Sequence, residues 1–92
     1  MHLAIRKINE KLEINNVSNE NITILSAIIK YSTVSESPTR DISRRYITST
    51  LDLNKNVRPG EKIEINVLDI PISEISVVIG SGLKIVRETY TV

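Results

Sequence analysis

The chain has no cysteine, tryptophan or phenylalanine, and only one histidine and three tyrosines in 92 residues. Without cysteine there are no disulfides, no thiolate nucleophile and no cysteine-based zinc site. The same absence leaves the redox compartment open. The aromatic residues are Tyr31, Tyr46 and Tyr90 alone, so few platforms exist for stacking bases. A surplus of one charge is missing as well. Twelve basic residues stand against eleven acidic ones, for a net charge of +1. Nucleic-acid binders concentrate basic residues to neutralise phosphates, and this balance argues against nucleic acid as the main partner. No run approaches the roughly 20 apolar residues of a membrane helix. Met1-His2-Leu3-Ala4-Ile5-Arg6 lacks the apolar stretch of a signal peptide. No membrane insertion by this segment is expected. The protein is then cytoplasmic, or else extracytoplasmic at a cell surface behind a membrane or signal segment upstream of residue 1.

What the chain does have is isoleucine. Alanine occurs only as Ala4 and Ala27, and β-branched residues dominate the apolar set. Such side chains pack well on a pleated sheet and lose rotamer freedom in a helix. A hydrophobic content of 40% lies well above the disordered range. At this length one domain over residues 1–92 is expected, burying about 60–70% of its unfolded surface.

Alternation of apolar and polar residues marks the strands. Leu3 to Ile8 is the first, and Asn9-Glu10 a short turn. Lys11 to Asn15 places Leu12 and Ile14 on one face. Residues 15–21 are rich in Asn and Ser and read as a corner. Ile22 to Tyr31 is the longest apolar strand, with Ile22, Ile24 and Ile28 at even positions and Leu25, Ala27, Ile29 and Tyr31 at odd ones. Thr33 to Ser43 reads as a polar loop around Pro38, where function is expected on general grounds. Arg45 to Leu53 alternates again. Pro59-Gly60 suits the centre of a type II turn. Lys62 to Asp69 and Ser73 to Ile79 follow, separated by Pro71. Gly80-Ser81-Gly82 reads as a tight hairpin connection before the last strand, Leu83 to Val92. About seven short strands with turns between them predict an all-β fold, an immunoglobulin-like two-sheet antiparallel β-sandwich.

Several features resemble chemistry without supplying it. His2 stands alone, and no Ser-His-Asp set can be assembled around it unless the N-terminus folds into a cleft. Asp41, Asp52 and Asp69 lack the spacing of a calcium loop. The Gly-Ser-Gly segment leads into a strand, where a phosphate loop needs a helix. No catalytic residue, metal site or cofactor is therefore expected, and the chain is not read as an enzyme. Asn16-Val17-Ser18 and Asn21-Ile22-Thr23 are glycosylation sequons, but eight asparagines make one or two by chance. Lys30, Arg40, Arg44 and Arg45 form the densest basic cluster, with Glu36 and Asp41 among them to compensate.

The segments Leu12-Glu13-Ile14-Asn15-Asn16-Val17-Ser18-Asn19 with Ile22-Thr23-Ile24, and Leu53 through Arg58-Pro59-Gly60-Glu61 into Ile63-Glu64-Ile65, carry a resemblance. Over roughly residues 11–92 the chain resembles the immunoglobulin-like domains of archaeal cell-surface and archaellum accessory (stator) proteins. The resemblance implies a non-enzymatic structural part in anchoring or assembly outside the membrane. It departs from a complete surface protein in showing no anchor.

A strand with two apolar faces is the strongest functional hint, because a sandwich strand needs only one. Leu25, Ile29, Tyr31 and Val78 are the expected protein interface, for a homotypic dimer or a surface-assembly component. The alternative is a small virus- or plasmid-encoded cytoplasmic binding protein that contacts nucleic acid through Lys30, Arg40, Arg44 and Arg45.

Overall fold

Seven strands follow one another without an intervening helix among the described residues: β1 (Leu3–Ile8), β2 (Lys11–Asn16), β3 (Ile22–Glu36), β4 (Ile42–Val57), β5 (Lys62–Asn66), β6 (Ile72–Ser81) and β7 (Lys84–Tyr90). The computed structural model describes residues 2–36 and 42–92, and only the backbone of residues 34–36 and 42–44. The strands form two antiparallel sheets, β1-β2-β5 and β4-β3-β6-β7. The fold is thus the all-β, two-sheet antiparallel sandwich that the alternation predicts.

The turns follow from their residues. Asn9, with φ of 54°, supplies the left-handed conformation that lets Ile8 pair with Lys11 across two residues. Gly82 does the same at φ of 60°, so the turn is Gly82-Leu83, and Gly80 and Ser81, read as part of the connection, belong to β6. Gly60 sits at φ of 82°, and the Glu61 amide donates to the Arg58 carbonyl at 3.0 Å. This is the type II turn that Pro59-Gly60 predicts.

The core lies between the sheets. Leu3, Leu12 and Ile14 meet Ile22, Ile24, Ile29, Tyr31, Ile75, Val77 and Ile79 there. One lateral side is closed by the N-terminus. The His2 amide donates to Glu88 Oε1 at 2.9 Å, its ring Nδ1 lies 2.6 Å from Oε2, and the Leu3 amide donates to the Tyr90 hydroxyl at 3.2 Å. The corner after β2 is held by Asn16, which is buried. Its Nδ2 donates to the carbonyls of Glu20 at 2.8 Å and Val57 at 2.9 Å. Its Oδ1 accepts from the amide and hydroxyl of Ser18. Of the two sequons, Asn16 is therefore structural and closed to a glycan, whereas Asn21 is exposed.

Where it is described, the segment read as a polar loop is strand, and its centre around Pro38 lies outside the described residues. β3 continues to Glu36 and β4 begins at Ile42, with pairing from Ser32↔Tyr46 out to Glu36↔Ile42. The third strand of that sheet, β6, pairs with β3 no further than Tyr31. The Ser32 amide still donates to the Pro71 carbonyl at 2.9 Å, and from Thr33 outward β3 and β4 form a two-stranded arm, along a molecule 53 Å in its longest dimension. Serine and threonine suggest a loop, yet they are well tolerated on an exposed ribbon.

Candidate functional site

The expected interface depends on which face each β3 residue takes, and a β-bulge decides this. Ile24 pairs with Lys55 and Ser26 with Asp52, so Leu25 on β3 and Leu53-Asn54 on β4 fall outside the regular register. Asn54 takes φ of 49° there. A bulge of this kind shifts the phase of alternation. Before it, Ile22 and Ile24 face the core. After it, Ala27, Ile29 and Tyr31 do. The two apolar faces read from the sequence are one core face whose parity changes at Leu25.

Ile29 and Tyr31 must accordingly be withdrawn from the interface. They are 1% and 2% exposed, and the Tyr31 hydroxyl accepts from the Leu68 amide at 3.1 Å, tying the β5–β6 connection to the core. Leu25 and Val78 stay on the outer side and are half-buried. Register places Val78 opposite Ser26 on one side and Arg87 on the other.

Around Leu25 the structure collects apolar residues that alternation in the sequence did not single out. Gly80 faces outward beside it, and a Cβ there would lie 3.9 Å from Leu25 Cδ1. Ile85 pairs with Gly80 and is 70% exposed, and Leu83 at the turn is fully exposed. Together with Asn56 and Arg58 these residues line an open groove of about 720 Å³ at the β6–β7 end of the four-stranded sheet. Across its rim the Thr23 hydroxyl donates to Asn56 Oδ1 at 2.7 Å. A leucine in a two-residue hairpin turn is the signal that could have pointed here, because such positions favour polar residues.

The outer face of the other sheet is different. Glu13 receives Arg6 at 2.7 Å and Lys62 at 3.1 Å. The Arg6 guanidinium, and then the Lys62 ammonium, hold its carboxyl below the usual carboxylate range, and Glu13 in return raises Lys62. Lys62 also reaches Glu64 at 3.6 Å. This face satisfies its own charges and leaves little for a partner.

The basic cluster is not gathered into one surface among the described side chains. The Lys30 ammonium lies 4.4 Å from the centroid of the Tyr46 ring, on the outer face. Arg45 pairs with Thr33 and belongs to the opposite face. Arg40 lies outside the described residues, and of Arg44 only the backbone is described.

His2 sits between two carboxylates, 2.6 Å from Glu88 and 3.6 Å from Glu20. Burial pushes Glu88 up, but the Tyr90 hydroxyl and the amide and ring of His2 outweigh it and leave the carboxyl below its ordinary value. Burial first, and then the Glu88 carboxylate, raise Tyr90 far above a free phenol. The nearby Ser81 hydroxyl donates to Glu20 at 2.7 Å, not to the imidazole. With the His2 and Leu3 amides bonded to Glu88 and Tyr90, this arrangement clasps the N-terminus to β7.

No protein-family model, curated protein or solved structure matches this chain.

Proposed function

We propose that this domain is a non-enzymatic structural module that binds another protein through the outer face of its four-stranded sheet, at the β6–β7 end. The observation that carries the reading is the exposure of Leu83 and Ile85 beside Leu25 and Gly80. Exposed apolar side chains that cluster, rimmed by amide and basic groups, mark interaction sites more often than scattered ones do. The contrast with the self-compensated charges around Glu13 favours this face over the other. The strand order supports an immunoglobulin-like reading. β1-β2-β5 and β3-β6-β7 follow strands A-B-E and C-F-G of such sandwiches, with β4 beside β3 instead of next to β5. The resemblance to archaellum accessory and cell-surface domains extends the proposal to an extracytoplasmic anchoring or assembly role.

A site-specific test uses a photo-crosslinking residue at Leu83, with a control at Glu64 on the charged face, in extracts of the source organism. The expected result is a discrete protein adduct at position 83 that an Ile85→Lys background abolishes. Equal labelling at both positions, or adducts to nucleic acid at low salt, would overturn the reading.

A further inference from the structure

The four free edges of the two sheets are not protected equally. Sheet edges present unpaired backbone groups, and proteins blunt them with charge, proline, bulges or brevity. β5 is five residues long, carries Lys62 and Glu64, and lies between Pro59 and Pro71. β1 carries Arg6 and Lys7, and β7 carries Lys84, Arg87 and Glu88. β4 has 16 residues and pairs on one side only, with β3. Its stretch Tyr46-Ile47-Thr48-Ser49-Thr50-Leu51 has no charge, proline or glycine. These residues favour strands. Tyr46 is 50% exposed and Ile47, on the core-facing side, is 46% exposed.

The geometry points to a second copy of this chain as the occupant of that edge, with β4 pairing antiparallel to β4 about a two-fold axis at Ser49. A two-fold axis that exchanges antiparallel strands must stand perpendicular to the sheet, so only residues of the same face can meet across it. Centred on Ser49, this sets Ile47 against the partner's Leu51, Thr48 against the partner's Thr50 and Tyr46 against the partner's Asp52. The match is complementary at each position. Ile47 and Leu51 continue the core-facing row, and no like charges oppose one another. Tyr46 already carries the Lys30 ammonium on its ring, so the partner's Asp52 arrives beside a cation. The Leu53-Asn54 irregularity ends the segment just beyond Asp52.

The arm supplies a further argument. A two-stranded ribbon is marginal in water, and from Thr33 outward β3 and β4 have no third strand among the described residues. In the dimer the β4 half of each arm runs toward the far end of the partner's β4. The result is one eight-stranded sheet, in which Leu83 and Ile85 of each copy lie at and beside the β6–β7 turn, away from the seam, while the Asn56 wall of the groove belongs to the seam strand. Dimer formation and partner binding are therefore probed at different residues, Asp52 for the one and Leu83 and Ile85 for the other.

Sedimentation velocity on the full chain tests the arrangement. A dimer is expected, with Asp52→Lys raising the dissociation constant about tenfold through two symmetric contacts. Lys30→Glu combined with Asp52→Lys should restore it. Ile47→Lys should give a monomer with unchanged far-ultraviolet circular dichroism, because the side chain is already half exposed. A wild-type monomer up to about 1 mM, a dimer indifferent to Asp52→Lys, or a double variant that stays weak would each overturn the proposal. Loss of the Leu83 adduct with the dimer intact would instead bear only on the partner-binding reading.

Discussion

At the scale of single residues, Asn16 shows how much a corner can rest on one amide. Both of its donors and its acceptor are used, and its own backbone takes part as well. Its amide donates to the Glu61 carbonyl at 3.0 Å, and its carbonyl accepts from the Gly60 amide at 2.9 Å. The side chain thus joins the β2–β3 corner to the end of β4, and the backbone of the same residue ties in the type II turn. Asn16→Ala would leave the Val57 and Glu20 carbonyls without their donor in a buried place. The expected cost is about 2–4 kcal/mol, seen as a fall in melting temperature of about 10 °C or more. Asn16→Asp keeps the shape but sets carboxylate oxygens against those carbonyls, so it should be at least as damaging. A melting temperature unchanged in both variants would remove Asn16 from this role. In the sequence the residue reads as one more asparagine in a turn-rich stretch and as half of a sequon. Its burial depends on β4 and β5 arriving from more than 40 residues away, which no local pattern records.

Among the elements, legibility divides by mechanism. The strands and their turns could be read because the cause is local. Period-two alternation shows in Leu12 and Ile14, and Pro59-Gly60 and Gly82 carry the conformations their turns require. The arm does not show in the alternation because Ser32, Thr33, Ser35 and Ser43 lower the apolar signal without removing strand propensity. The facing of the β3 side chains departs from simple alternation for a different reason. Counting by twos from Ile22 puts Leu25, Ile29 and Tyr31 on the same side, whereas one irregularity at Leu25 sends the last two inward. Nothing in Leu25 itself announces it, and the clearer mark is on the partner strand. Asn54 holds a left-handed φ of 49°, which asparagine and glycine tolerate and β-branched residues do not. Asn54→Val should therefore destabilise the β3–β4 pairing by about 1–2 kcal/mol, while Asn54→Gly stays close to wild type. Chemical denaturation of the two variants separates these outcomes, and equal stability would mean that the irregularity does not depend on that conformation.

For the whole molecule, the two lateral sides of the sandwich have opposite characters. On the β1/β7 side, the His2, Glu88 and Tyr90 clasp closes the space between the sheets. On the β4/β5 side, Leu51, Leu53, Ile63 and Ile65 are only partly buried against the core. The closed side and the charged outer face around Glu13 together set the dependence of stability on pH. Glu88, Glu20 and Glu13 all have carboxyls lowered below 4.5 in the folded state. For Glu20 the first cause is the Ser81 hydroxyl. A lowered folded value means the unfolded chain binds the proton first, so the contribution is complete above about pH 4.5 and is lost as pH falls through the folded values. Tyr90 and Lys62 are raised instead, from ordinary values of 10.0 and 10.5. Their contribution is complete below about pH 10 and declines as pH climbs toward the folded values. The melting temperature should therefore be flat with respect to these groups between about pH 5 and 10 and fall on both sides. Tyr90→Phe should flatten the alkaline limb and also weaken the acid limb, because Glu88 loses the hydroxyl that donates to it. Glu88→Gln should flatten the acid limb in part, leaving the share of Glu20 and Glu13. Calorimetry of the three proteins across that range checks the assignment. An acid limb unchanged in Glu88→Gln would show that the ionised Glu88 carboxylate gains nothing from His2 and Tyr90 in the folded state.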